Sequence, residues 1–470
     1  MANPVQKIRN EATLVSTNPA CDYAVLGEVA VSTPADIAAA VQKARAAQPG
    51  WQALGVDGRL KAISRLVAAI ENHAEDLIQA TAQEMGMPVK GARGTHDWSM
   101  WHMRWYLDNA AACLAPETTF ENETERHQTV FEPYGVAAVI VPWNFPLSNF
   151  VMGAFQPLLA GNTVVLKGSE EVPLFYRRLN EVIRESGMPE GVINMVYGAG
   201  EVGEALVRAD IDLICFTGSS AVGKKLYRIA AEKFIPAHLE LGGSDAGIVC
   251  EDADVQANAE AIYGAKFINN GQICCGLKRL LVHESRLDET VAALKAIIES
   301  QKLGDPLDEN TDLGPLVAER QQKRLIEQVA DARAKGAVCV TGGAVPENLK
   351  GAYYAPTLLT NVTPDMRVWC EEVFGPVLPI RTFKTDNDAI AMANDTPYGL
   401  SGYVFTKDEG RAQKIAAALR AGSISHNGVD YSGPYNAFGG YKDSGLKRTG
   451  GKQGFRDACQ VKTLSIRKTS

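Results

Sequence analysis

From residue 135 onward the chain repeats one pattern, a short apolar run, a turn, and then an amphipathic stretch long enough for a helix. GVAAVIVP, NTVVLKG, GVINMVYG and IDLICFTG are such runs, with PLFYRRLNEVIRESG and VGEALVRA lying between them. An apolar run without polar alternation suits a strand buried on both faces, and strands separated by helices pair in parallel. The pattern predicts a doubly wound α/β sheet. A second series follows the segment LELGG, comprising DAGIVCE, RLLVHE, AVCVTGG, APTLLTNV and VLPIRTF, and predicts a second α/β domain. A chain of 470 residues has room for more than one core, and two such domains place a cleft between them.

Upstream, TPADIAAAVQKARAAQPGW and RLKAISRLVAAIENHAEDLIQATAQEMG carry apolar residues at helical spacing. Thr33 before Pro34 reads as an N-cap followed by a first-turn proline. An aromatic helix, THDWSMWHMRWYLDNAAACL, comes next. TERHQTVFEPYG is polar and broken, as in an exposed strand or hairpin. A net charge of −8 gives no electrostatic reason to bind nucleic acid or an anionic membrane. The start lacks the apolar core of a secretory signal, and no apolar run reaches the roughly 18 residues of a membrane span. Nine cysteines without paired CxxC spacing argue against zinc and for a reducing compartment. The expectation is a cytoplasmic protein with no metal, nucleic-acid or membrane partner.

Three segments compete for a phosphate. Gly198-Ala-Gly-Glu-Val-Gly203 is a formal GxGxxG between a strand and a helix, either a dinucleotide turn or an ordinary strand-to-helix turn. Gly218-Ser-Ser-Ala-Val-Gly-Lys-Lys225 is one residue from a Walker A loop, but Lys225 stands where a magnesium-binding hydroxyl belongs. A phosphate turn at a helix N-terminus still suits it. Lys167, Ser169 and Glu170 end the strand NTVVLKG, where lysine and glutamate can bond ribose hydroxyls. A carboxylate there repels the 2′-phosphate of NADP.

The chemistry-bearing candidates are Cys274 and Cys275 in AKFINNGQICCGLKR, Glu240 ending the strand in HLELGG, and Trp143-Asn144 after the strand GVAAVIVP. A lone cysteine is usually packing, but residues at the carboxyl edge of a parallel sheet lie where ligands bind.

PWNFP, LAGNTVVLKGSEE, FTGSSAVGKK, LELGG, FINNGQIC, EEVFGPV and FGGYKDSG occur in the order and approximate spacing of the aldehyde dehydrogenase superfamily. On these motifs the chain resembles that superfamily from about Asn18 to Lys462. The resemblance implies an NAD-dependent enzyme. In it Cys274 is the nucleophile, Asn144 and the Cys274 N–H hold the oxyanion, and Glu240 activates water. It places the pyrophosphate over the helix after Ser219, with Gly218 and Trp143 on the cofactor side. Lys167 and Glu170 face the adenosine ribose, and Glu372 and Phe374 the nicotinamide end. Gly198 to Gly203 then packs near the adenine. The implied division is a cofactor domain of residues 1–115 and 134–241, a catalytic domain of 242–445, and an oligomerisation arm of 116–133 with 446–470. The arm, with KTLSIRK, implies a homodimer or homotetramer.

LELGGSDAGIVCEDADV looks most like the semialdehyde-oxidising branch, yet Met152 and Ile268 stand where relatives taking succinic semialdehyde carry arginines. An apolar side chain cannot pair a carboxylate. The expectation is therefore an apolar or aromatic aldehyde, with a semialdehyde as the alternative. Ser425 and His426 are read in a loop at the substrate mouth, His426 as a polar anchor or a solvated histidine. The helix bearing Trp98, Trp101, Trp105 and Tyr106 is core or one wall of the substrate tunnel. Cys275 is a small loop residue or a redox partner of Cys274. Glu240 argues against a relative that passes the acyl group to coenzyme A. The retained motif residues argue against a non-catalytic protein on the same scaffold.

Overall fold

A computed structural model describes residues 12–468. Its first large sheet runs in the order Gly445–Leu446, Ala237–Glu240, Leu213–Thr217, Val136–Ile140, Thr163–Lys167 and Ile193–Val196. All neighbours are parallel except the first pair. The apolar runs follow from coverage on both faces. Val136, Ala138 and Ile140 point into a core shared with the helices Pro34–Ala53 and Ser220–Lys233, while Ala137 and Val139 join the core on the other side. With no wet face there is no polar alternation.

The strand Val136–Ile140 is flanked by the next strand in sequence, Thr163–Lys167, on one side and by Leu213–Thr217 on the other. Chain direction around the sheet reverses there, which opens a crevice beyond the carboxyl ends. The register aligns Ile140 with Lys167 and Phe216, and Thr217 with Glu240. Trp143, Asn144, Lys167, Gly218 and Glu240 therefore lie at or just beyond one edge.

The second sheet runs Val338–Thr341, Thr357–Thr360, Val377–Phe383, Leu277–His283, Asp245–Val249, Ser401–Phe405 and Ser423–His426, parallel apart from its first pair. Gly242-Gly243 passes directly from the first sheet into Asp245–Val249. The amino-terminal edge of the second sheet, with the Cys274 loop before Leu277 and Glu372 before Val377, faces the carboxyl edge of the first. A third, three-stranded sheet stands apart, with Glu125–Pro133 between Cys459–Arg467 and Glu117–Glu121. Gly445–Leu446 and the helix Gly451–Asp457 return to the first sheet before that arm begins.

Several local expectations change. Thr33 caps the helix Pro34–Ala53 in a reciprocal box with Asp36, as its sequence suggests. The expected single helix after it is two, Gly55–Asn72 and Ala74–Met85, divided at His73 (φ −104°, ψ 20°). No glycine or proline marks that break. His73 is instead held by Glu185 at 2.8 Å on the neighbouring helix Pro173–Glu185. The hairpin Thr13–Asn18 with Ala24–Ala30 precedes the first of these helices. Ser425 and His426 are not in a loop but in the edge strand Ser423–His426. The Ser425 hydroxyl donates to the Val429 carbonyl and the His426 ring bonds the Thr406 carbonyl. Both side chains serve the local backbone.

Candidate active site

The cysteine loop is wound by three consecutive left-handed residues, Asn269 (φ 51°), Asn270 (φ 54°) and Gly271 (φ 72°). Asparagine and glycine tolerate this conformation, which costs other L-residues free energy. Side-chain amides lock the turn. Asn270 Nδ2 donates to the Gly314 carbonyl at 2.9 Å, Gln272 Nε2 to the Asn269 carbonyl at 3.2 Å, and Gln272 Oε1 accepts from the Val317 N–H at 3.0 Å. The motif NNGQ thus presents half-buried Cys274 to the cleft from a rigid support.

Asn144 arrives from the other sheet. Its Nδ2 donates to the Gln272 carbonyl at 3.0 Å, and its Oδ1 accepts from Asn149 Nδ2 at 3.1 Å. Asn269 Nδ2 donates to the Asn144 carbonyl at 2.8 Å. The amide is oriented at both ends, and its nitrogen carries a second N–H to offer.

Glu240 is 7% exposed and its Oε2 has no hydrogen-bond partner. Burial pushes its pKa well above the carboxylate range, opposed by the Arg448 charge and by Thr449, and reinforced by Cys275. The side chain shares a small cavity with Met152, Gln156, Thr217, His238 and Thr449. Thr449 lies against the Glu240 carboxylate in that cavity. The Cys275 side chain, in hydrogen-bonding contact, pushes the Cys274 thiol up; burial and Glu240 add to this, and Lys278 opposes it.

The two glycines of LELGG are required by close approach rather than by backbone conformation. A Cβ on Gly242 would collide with Glu372 Oε2, and one on Gly243 would stand 2.9 Å from the Cys274 carbonyl. Glu372 Oε1 accepts from the Gly243 N–H at 3.1 Å. Phe374 lies edge-on to Trp143, with ring centroids 5.6 Å apart. Glu372, Phe374 and Trp143 therefore converge beside Cys274.

At the far end of the crevice, Lys167 Nζ is 3.7 Å from Glu170 Oε2. A Cβ on Gly203 would meet Lys167 Cδ at 3.4 Å, so the GxGxxG turn, which opens the helix Gly200–Arg208, packs beside that lysine. Ser219 caps the helix Ser220–Lys233 by accepting from the Val222 N–H. Lys225, at the position a Walker loop gives to its magnesium-binding hydroxyl, pairs with Glu204 at 2.5 Å, and Lys224, the Walker-like lysine, pairs with Asp443 at 2.5 Å.

Met152 lies in a short π-helical turn, Val151–Phe155, next to Glu240, and Ile268 is exposed beside the cysteine loop. In the aromatic helix Val89–Cys113, Tyr106 is core while Trp101 is open to solvent. Trp98 stacks on His102, with ring centroids 3.5 Å apart. Sequence reasoning missed a buried group behind Cys275. The hydroxyls of Ser401, Tyr403 and Tyr431 all reach the Cys275 carbonyl, and Ser401 also bonds Asp245. Only a strand prediction for SGYVF would have put Ser401 and Tyr403 on one face.

Two parallel α/β sheets meeting edge to edge, with a cysteine, an asparagine and a glutamate gathered between them, define a two-domain α/β protein with a cleft built for a thiol. The sequence profile of the aldehyde dehydrogenase family matches residues 7–464, and the chain belongs to that family. It is 36% identical over 459 residues to a peroxisomal aminoaldehyde dehydrogenase of Pisum sativum, covering 95% of this chain and 91% of that protein. It is 33% identical to a glutarate-semialdehyde dehydrogenase of Pseudomonas putida, covering 97% of this chain and 95% of that one. The structure superposes with a TM-score of 0.93 on a Mycobacterium tuberculosis aldehyde dehydrogenase complexed with NAD+, at 37% identity over 97% of this chain and 95% of the other.

Proposed function

We propose that the protein oxidises an aldehyde to its carboxylic acid with NAD as hydride acceptor. The observation that carries this reading is that the Cys274 loop, the Asn144 amide and the Glu240 carboxylate converge in one cleft although they come from three separate segments. Cys274, as thiolate, adds to the aldehyde carbon. Asn144 Nδ2 and the Cys274 N–H donate to the resulting oxyanion, about 3–4 kcal/mol for a well-placed donor. Bound NAD would supply the hydride acceptor, and loss of hydride from the tetrahedral carbon would leave a Cys274 thioester. Glu240 takes a proton from water as the water oxygen attacks; the C–S bond breaks, and acid and thiolate separate.

The residues present fit NAD. The helix N-terminus after Ser219 offers N–H groups to a diphosphate, and Gly218 lets it approach. Lys167 and Glu170 suit a ribose diol, with Glu170 disfavouring a 2′-phosphate. Glu372, Phe374 and Trp143 suit the nicotinamide end. We assign the cofactor to residues 1–115 and 134–241 and the nucleophile to 242–445, a division that the two large sheets support except at Gly445–Leu446, which pairs with the first. The arm, proposed as residues 116–133 with 446–470, is supported by the separate sheet of Glu117–Glu121, Glu125–Pro133 and Cys459–Arg467 with exposed Phe120, Val461 and Ile466, which favours a homodimer or homotetramer. Nine free cysteines support a reducing, cytoplasmic setting. Among the described residues no helix is long and apolar enough to cross a membrane.

Met152 and Ile268 favour an apolar or aromatic aldehyde. The relatives named for aminoaldehydes and semialdehydes favour a second reading, an aldehyde with a polar far end. NADH formation across a panel of aliphatic, aromatic, amino and semialdehyde substrates separates the two, with Cys274→Ala run alongside. We expect aromatic aldehydes to lead and the variant to be silent. A lead for glutaric or succinic semialdehyde overturns the substrate assignment, and an active variant overturns the mechanism.

A further inference from the structure

Two lysines are folded into the interior beside the cysteine loop, Lys266 and Lys278, each 1% exposed. Lys266 Nζ donates to the Val373 carbonyl at 3.3 Å. Lys278 is the more connected. Its Nζ donates to the Cys274 carbonyl at 2.8 Å, lies 3.4 Å from the Gly243 carbonyl and 3.5 Å from Glu372 Oε1, and sits 5.8 Å from the centre of the Phe374 ring. One buried ammonium thus touches the peptide of Cys274, the glycine turn joining the two sheets, and the Glu372 carboxylate.

The next carbonyl is held just as firmly. Cys275 O accepts from Tyr403 Oη at 2.7 Å, Ser401 Oγ at 3.0 Å and Tyr431 Oη at 3.3 Å. The two peptide planes that follow the Cys274 Cα are therefore fixed from the inside, one by an ammonium and the other by three hydroxyls. The charges around them are unequal. Glu240, Asp245 and Glu372 bring three carboxylates to the surroundings of Cys274 and Lys278, and the Cys275 thiol lies against Cys274. Lys266 acts on Lys278 by repulsion and on Glu372 by attraction. A thiolate at Cys274 needs a nearby cation among these acids, and Lys278 is the one bonded to its own residue.

We infer that Lys278 is a positioning residue that fixes the cysteine loop, favours the Cys274 thiolate, and couples the loop to Glu372. It acts through the Cys274 peptide and through its charge, without touching substrate. The inference rests on reading Cys274 as the nucleophile. It adds a dependence that reading does not require: the ionisation of Cys274 responds to a lysine behind the loop and, through it, to the Glu372 carboxylate.

The test compares Lys278→Gln, which keeps a donor and loses the charge, with Lys278→Arg, which keeps the charge. The full-length enzyme is alkylated with iodoacetamide across a pH series, and the Cys274 and Cys275 adducts are resolved by peptide mass spectrometry. In Lys278→Gln we expect the midpoint of Cys274 alkylation to rise by about one unit, a roughly tenfold loss of thiolate below the midpoint. We also expect kcat to fall further than the KM for aldehyde rises. Lys278→Arg should keep the wild-type midpoint even where packing lowers its rate. Equal midpoints in both variants and wild type, or equal shifts in both, would reduce Lys278 to a structural role and overturn the inference. Should Lys278→Gln fail to fold, Glu372→Gln in the intact chain serves instead. Freeing Lys278 from its carboxylate should lower the midpoint, and an unmoved midpoint overturns the inference. Activity retained by Cys274→Ala would sink the underlying reading independently of any result at Lys278.

Discussion

A Glu240→Gln variant separates the two halves of the reaction and tests a stability effect of the same side chain. Glu240 sits 7% exposed at the end of its strand with one carboxylate oxygen unpartnered, and burial raises its pKa well above 4.5. Only the carboxylate can take a proton from water, so wild-type kcat should fall about tenfold per pH unit below the folded pKa. Glutamine offers no base, and steady-state turnover should drop by roughly 10²–10⁴-fold. Thioester formation does not use Glu240, so a burst of one NADH per active site should survive. The stability effect has a definite sign. The unfolded chain releases this proton near 4.5 and the folded chain only at higher pH. Between the two values the folded state binds more protons, and stability declines with rising pH by up to about 1.4 kcal/mol per unit. Above the folded pKa the loss is complete and constant. Glutamine lacks this loss, so its melting temperature should gain on wild type as pH rises through that window. Rapid-mixing absorbance and calorimetry at several pH values measure both effects. Turnover lost together with the burst, or turnover retained, would refute the assignment of Glu240 to deacylation. A pH-independent difference in melting temperature would refute the account of its burial.

Two further outcomes follow from the site. Asn144→Ala removes the proposed oxyanion donor and should cost about 10²–10³ in kcat with a smaller change in KM; a loss confined to KM would mean that Asn144 serves binding alone. Mild peroxide should remove two hydrogens from the Cys274–Cys275 peptide and silence the enzyme until reductant is added, because the two side chains are in contact. Mass spectrometry showing only a sulfinic acid on Cys274, or reversible loss persisting in Cys275→Ser, would exclude a bond between them.

How much of this was legible in the sequence depends on what each residue does. The strands of the first sheet announce themselves because burial on both faces leaves unbroken apolar runs. The ends of those runs then place Asn144, Lys167, Gly218 and Glu240 along one edge. Ser423–His426 was not legible, since a four-residue edge strand with polar side chains reads as a loop and its pairing to Ser401–Phe405 is supplied by tertiary structure. The break at His73 was hidden for a similar reason, as a contact 112 residues away turns the chain where no local signal exists.

The support beneath Cys274 shows the sharper limit. In CCGLKRLLVHE, Lys278 and Arg279 look like the polar start of a strand, the place where basic residues ordinarily meet solvent. Both are 1% exposed, because the strand Leu277–His283 lies inside its sheet with both faces covered. Each cation is then satisfied by backbone carbonyls that only the fold supplies, Cys274 and Gly243 for Lys278, and Ser244, Met392 and Ala393 for Arg279. A residue that touches substrate is visible through its chemistry, whereas a residue that bonds the peptide behind it has no chemical signature of its own. Cys274 was therefore singled out by a motif, and the buried charges behind its loop were readable only from the structure.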